Sequence, residues 1–205
     1  MYANYLKIAA SRQASGGAFA WGAYVDANGY PNADMPNNLL QSVITQDLLL
    51  GYTGNWVIGW SGKLGSFRIS PGTANFSIVS GGSFATATAT NLTCSGTNGR
   101  VVFNSTTKFN TWPCYFDGGA LGWDGTLTGM YLCKEADEAD LLAGNPFRQD
   151  FLDYISYVNP KGLRFLNWQP VNNAMVSRWN QRTQVSEFSY GSERAVPSTW
   201  AGTLT

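Results

Sequence analysis

From Asn55 to Cys133 the chain repeats one pattern: a short apolar run, then a break at Gly, Pro or Asn. The runs are "NWVIGW" (Asn55–Trp60), "LGSFRIS" (Leu64–Ser70), "NFSIVS" (Asn75–Ser80), "SFATATAT" (Ser83–Thr90), "GRVVFN" (Gly99–Asn104) and "LTGMYLC" (Leu127–Cys133). Each is strand length and rich in β-branched and aromatic residues, and their regular spacing predicts an antiparallel β-sandwich. Trp56 and Trp60 are four apart, so on a strand they share one face, and core packing is expected of both. "SFATATAT" has the cleanest period of two. It puts Phe84, Thr86, Thr88 and Thr90 on one face, with the threonines toward water and the alanines against a close neighbour. The expected fold is therefore mainly β, an antiparallel, jelly-roll-like sandwich.

The flanks differ. Residues Tyr5–Ala10 have the composition of a short helix, and "VDANGYPNADMP" is turn chemistry in which Asn28-Gly29 supplies the positive φ of a tight turn. After Cys133 an acidic run (Glu135, Asp137, Glu138, Asp140) reads as a solvated face, and Gly144 can end a turn of helix. Asn145 can cap a helix with Pro146 at its first position. Phe147, Phe151, Leu152 and Ile155 recur at helical spacing, predicting a helix over 146–156 that ends near Asn159-Pro160. Gly162–Trp168 then forms an apolar strand candidate, and a helix feeding such a strand is how a parallel β/α unit begins. Two segments follow: a sandwich over residues 1–145, and a short C-terminal helix–strand extension over 146–205.

Composition narrows the chemistry. The 205 residues carry 13 basic and 13 acidic side chains, and their zero net charge gives no electrostatic case for nucleic acid or an anionic membrane as partner. A neutral polar ligand, such as a glycan, fits better. No window approaches 18 continuous apolar residues, so no membrane span is expected. Histidine is absent, which removes imidazole as base or metal ligand. Cys94, Cys114 and Cys133 are too widely spaced for a zinc motif. They read either as three buried small hydrophobes or as a Cys94–Cys114 bridge with one thiol left over. The sequons at Asn75, Asn91 and Asn104 are read as chance, because the first residues have no apolar export segment. An outward-looking surface without that segment suits a particle released by lysis, or a piece of a longer exported protein.

Glycoside hydrolysis needs two converging carboxylates. Asp26, Asp47, Asp117, Asp124 and Glu187 are candidates by type, but no two are spaced to converge, and Asp117 and Asp124 sit in turn settings. The acidic run lacks the ligand spacing of a calcium loop. No phosphate loop, nucleophile elbow or dinucleotide fingerprint occurs. The stretch "FNTWPCYFDGGALGWDG" reads as a long loop dense in rings. Trp112, Tyr115, Phe116 and Trp123 are candidates to stack on sugar faces, with Asn110, Asp117 and Asp124 beside them to hydrogen-bond hydroxyls. The competing reading makes the same rings a plug over the sandwich. No catalytic residue, metal or cofactor is expected.

Spaced motifs also carry a resemblance: "VDANGYP" (Val25–Pro31), "GNWVIGWSGKLGSF" (Gly54–Phe67), "GRVVFN", "PFRQDFLDYI", "LRFLNW" (Leu163–Trp168) and "RWNQR" (Arg178–Arg182). Together they resemble bacterial and phage-borne glycoside-hydrolase-like proteins in which an N-terminal β-sandwich precedes a (β/α)₈ barrel. The resemblance implies that Arg164-Phe165-x-x-Trp168 is the first barrel strand and that Trp179-x-x-Arg182 lies in its first loop. It implies a sandwich plus the first β/α unit of a truncated barrel, with the catalytic carboxylates, which belong to later strands, outside these residues. Asn167 stands where the family commonly has Asp, which weakens an acidic role there.

Two functions are expected from these readings. The first is a non-catalytic carbohydrate-associated module that recognises or presents polysaccharide, or a cell-surface glycan, beside such a barrel. The second is a structural virion protein, a tail, fibre or capsid-surface component acting through assembly with its own copies or other virion proteins. Either implies an extracellular or virion-surface location, and neither makes the 205-residue chain itself an enzyme.

Overall fold

A computed structural model describes residues 4, 6, 11–14, 24–35, 40–45, 54–71, 75–106, 111–117 and 121–162, with the side chains of 11–14, 40–45 and 111–113 left aside. Ten strands are described: β1 (Ser11–Ala14), β2 (Leu40–Thr45), β3 (Asn55–Ser61), β4 (Lys63–Ile69), β5 (Phe76–Ser80), β6 (Ala85–Ala87), β7 (Leu92–Thr97), β8 (Arg100–Ser105), β9 (Thr111–Phe116) and β10 (Thr128–Lys134). Two helices follow, α1 (Glu138–Leu142) and α2 (Gln149–Val158). The strands form two antiparallel sheets, one of six in the order β1-β2-β9-β4-β7-β6 and one of four in the order β10-β3-β8-β5. The mainly-β, two-sheet expectation holds.

The sheets bury one core between them. Trp56, Ile58 and Trp60 of β3, Phe103 of β8 and Leu132 of β10 face Phe67 and Ile69 of β4, Leu92 of β7 and Phe116 of β9 in a single cluster. Period two explains the selection: on β3 the alternate residue Val57 points the other way, into a smaller cluster with Val102 and Cys133 that Tyr131 and Leu141 cover. The four-stranded sheet is thus apolar on both faces near α1, which is why "NWVIGW" reads as an almost unbroken apolar run. All three cysteines are buried and unbridged. Burial pushes the Cys94 thiol up to about 12 and raises Cys114 and Cys133 as well.

Two corners tie the sheets together. The chain crosses between the sheets several times, and two of these crossings, between β3 and β4 and between β7 and β8, are tight corners. These corners bond to each other, Asn98 N–H to the Gly62 carbonyl at 2.9 Å and Gly62 N–H to Asn98 Oδ1 at 2.8 Å. At the β10 edge, Asn4 stands in for a further strand. Its Nδ2 donates to the Met130 carbonyl at 3.2 Å and its Oδ1 accepts from Leu132 N–H at 3.1 Å, satisfying edge groups that would otherwise invite pairing.

Several expectations change. The run Ser83–Thr90 is not one strand: Gly82–Phe84 is a 3₁₀ turn, β6 covers only Ala85–Ala87, and the chain then turns. Thr88 Oγ1 accepts from the Asn91 N–H at 3.0 Å, a local bond that competes with the ladder and ends it. The ring-rich stretch is not all loop, because Thr111–Phe116 is β9, an inner strand between β2 and β4. Pro113 disguised it. In the structure Pro113 falls one residue beyond the Ile69–Cys114 pair, where β4 has ended and only β2 continues alongside.

In the "VDANGYP" turn only Gly29 takes positive φ, at 84°, while Asp26 Oδ1 accepts from the N–H groups of Asn28 and Tyr30. The helix expected over 146–156 begins three residues late, at Gln149, because Arg148 is extended, buried and engaged by Asp137 and Asp150. Asn145 and Pro146 therefore neither cap nor open it. Its end at Asn159, in the left-handed region, is as expected. The Tyr5–Ala10 helix, apart from buried Leu6, and the Gly162–Trp168 strand beyond Gly162 lie outside the described residues, as do Asp47, Asn110, Glu187 and the "RWNQR" motif.

Candidate functional site

Strand register sets the candidate site. On the six-stranded sheet, Ala14, Leu40, Phe116, Phe67, Cys94 and Ala85 stand in one row across all the strands. Phe116, Phe67 and Cys94 are fully buried in the core, so this row belongs to the inner face. The next row is offset by one residue on every strand: Gln13, Gln41, Tyr115, Arg68, Thr93 and Thr86. Period two places it on the outer face. Along it Tyr115, Arg68 and Thr93 are half-buried and Thr86 is exposed. For Gln13 and Gln41 the register position alone is described.

At the centre, Arg68 Nε donates to Asp117 Oδ2 at 2.9 Å and Nη2 donates to Oδ1 at 3.4 Å. The guanidinium carbon lies 4.3 Å from the centroid of the Tyr115 ring. Cross-strand pairing puts Arg68 beside Tyr115, and the step past Phe116 brings Asp117 back toward β4, where its N–H bonds the Ser66 carbonyl at 3.1 Å. Both partners of the ion pair keep about a third of their side-chain surface, so it fixes geometry more than it adds stability. Of the five guanidinium N–H groups, two are used on Asp117, leaving three donors. With the threonine and tyrosine hydroxyls and the spare lone pairs of Asp117, the face offers donors and acceptors side by side and no net charge.

The other expected site residues separate from this face. The Phe116 ring is fully buried, packed against Phe67 at 5.1 Å between centroids, so it is a core residue with no face to offer a ligand. Trp123 is nearly as buried, over Gly65 and edge-on to Phe116 at 5.8 Å, with Nε1 donating to the Asp117 carbonyl at 3.2 Å. Both rings belong to the main core cluster between the sheets. Trp112 pairs with Ile44 in β9, its side chain outside the description. Asp124 is exposed and caps its own turn, accepting from Thr126 Oγ1 at 2.7 Å and from Thr126 N–H at 3.0 Å. Those bonds hold its carboxyl below the usual range. Tyr115 and Asp117 are the two expected residues that the fold brings together. Arg68 was the missed partner. Its signal was a single charge inside the apolar run "SFRI", the mark of an outward position on a buried strand.

A second polar cluster lies on the outer face of the four-stranded sheet. Tyr131, Gly59 and Arg100 form one row, and Glu138 reaches down from α1 to accept from Tyr131 Oη at 2.7 Å and Arg100 Nε at 2.8 Å. The Arg100 bonds, then that from Tyr131, hold the Glu138 carboxyl low, while burial and Glu138 together raise the Tyr131 phenol. Glu138 was expected on a solvated face and is instead buried, and it pins α1 to the sheet. Each of its oxygens is engaged, so the cluster is a structural tie. Among the described residues no group of three His, Cys, Asp or Glu could hold a metal ion, and no helix is long and apolar enough to cross a membrane.

The fold and this face define a mainly-β protein of two packed antiparallel sheets. No protein family, curated protein or solved structure matches the chain.

Proposed function

We propose that the chain is a non-catalytic carbohydrate-associated β-sandwich module that recognises or presents polysaccharide through the outer face of its six-stranded sheet, on a phage particle or cell surface. The observation that carries this is the Tyr115–Arg68–Asp117 group. It holds a planar cation, an aromatic ring and a carboxylate rigidly at an accessible, charge-balanced place, with free donors and acceptors suited to vicinal hydroxyls. The resemblance to sandwich-plus-barrel glycoside-hydrolase-like proteins points to the same ligand class. The test is affinity electrophoresis of the purified chain in gels containing neutral polysaccharides. Retardation that Tyr115→Ala abolishes and Asp124→Ala leaves intact is the expected result, with no release of reducing ends. Native migration in every polysaccharide would refute the reading.

A structural virion role through protein–protein assembly is favoured by one feature, α2, in which no side chain is buried and Tyr154 and Tyr157 stand exposed. Concentration-dependent self-association in sedimentation, weakened by Tyr157→Ser, supports that role. A monomer at all concentrations argues against assembly with its own copies.

A further inference from the structure

The outer row runs across strands rather than along one, and this bears on the shape of the ligand. Neighbouring residues of the row sit one strand spacing apart, about 4.8 Å, whereas same-face residues along a strand are about 6.6 Å apart. Along β4 the face closes on one side of Arg68, because Ser66, the preceding outward position, is buried. Across the sheet it stays open: Thr93 pairs with Arg68, Thr86 pairs with Thr93, and both are small hydroxyl side chains at the surface. From Tyr115 on β9 to Thr86 on β6 the row extends about 14 Å at the usual strand spacing, several times the width of one hydrogen-bonded group.

We infer that the row is a track for a linear, uncharged polysaccharide lying perpendicular to the strands, with Thr93 and Thr86 as contact residues beyond the Tyr115–Arg68–Asp117 centre. The inference rests on the carbohydrate reading above and adds the direction, the extent and the ligand class. Linearity follows from a straight row of small side chains beyond Arg68, which a branch would leave. Neutrality follows from the Arg68–Asp117 pair, in which a carboxylate already balances the cation and would repel an anionic polymer at that point. Each threonine offers one donor and two acceptor lone pairs, the complement of a sugar hydroxyl. The spacing also sets the increment: each added sugar ring, roughly one strand spacing long, gains the side chain of the next strand.

The test uses the full chain and three linear neutral polymers, a β-1,4-glucan, a β-1,4-mannan and a β-1,4-xylan. Size-graded oligosaccharides of whichever binds are then titrated calorimetrically. Affinity should rise with length and level off only at three or more rings. Thr93→Ala and Thr86→Ala should each weaken the longer oligomers about three- to tenfold, as expected for one lost hydrogen bond, and leave the shortest binder unchanged. Tyr115→Ala should weaken all lengths. Far-UV circular dichroism and unchanged melting confirm that the threonine variants fold. If affinity levels off at one ring and the threonine variants bind like the parent, the track is wrong while the carbohydrate reading stands. If no polymer binds the folded chain, both fail.

Discussion

Gly59→Ala makes the sharpest test of how the outer face of the four-stranded sheet is built. A Cβ at Gly59 would lie 2.2 Å from Tyr131 Cζ and 2.3 Å from its hydroxyl oxygen. No real contact is that short, so the ring must swing away. That movement breaks the 2.7 Å bond from Tyr131 to Glu138 and lifts the cover from Val57, Val102 and Cys133. A hydrogen bond to a charged group contributes about 1.5–3 kcal/mol. Alanine offsets about 0.5–1 kcal/mol of that, because glycine loses more backbone freedom in a strand. The expected net loss is about 1–2 kcal/mol, read as a fall in urea midpoint and about 2–8 °C in Tm for a chain of this size. The decisive measurement is a double-mutant cycle. In a Tyr131→Ala background the obstacle is gone, and Gly59→Ala should become neutral or stabilise by about 0.5–1 kcal/mol. Equal losses in both backgrounds would refute the argument, since the cost of Gly59→Ala would then owe nothing to the ring.

Two further outcomes follow from the same geometry. Because Arg100 and Tyr131 hold the Glu138 carboxyl below its usual 4.5, its contribution is complete above about pH 4.5 and is lost as pH falls through the lower folded value. Glu138→Gln should therefore destabilise the chain at neutral pH but converge with the parent in acid, so parallel stability–pH curves would contradict the tie. The three buried thiols should resist an aromatic disulfide reagent in the native state and all react after unfolding, since burial raises each and removes the thiolate. Only one thiol reacting in reduced-agent-free denaturant would reveal a Cys94–Cys114 bridge instead.

How much of this was legible in the sequence varied with how local the cause was. "NWVIGW" and "GRVVFN" announced β3 and β8, because strands buried on their core face and partly covered outside keep an apolar run whatever lies around them. β9 was hidden. Its Pro113 and its Gly-rich continuation are turn residues by any local rule, and the strand exists because β2 and β4 offer partners from 76 and 49 positions away (Leu40 to Phe116, Phe67 to Phe116). The "SFATATAT" run erred in the opposite direction, since its alternation was real for three residues before Thr88 found a local partner.

The candidate site divides in the same way. The sequence by itself determined the mainly-β class, the shared core face of Trp56 and Trp60 on β3, the lack of imidazole chemistry and the zero net charge, all of which depend on composition and period. Tyr115 and Asp117 were visible in it as residue types beside one another. Tertiary structure alone decided that Phe116 and Trp123 turn inward, that Glu138 pins a helix, and that Arg68 stands against Tyr115. It also decided that Thr93 and Thr86 extend that row across the sheet. The physical reason is register: a strand's own alternation fixes which residues share a face, but only hydrogen bonding between distant strands fixes which residues stand in line.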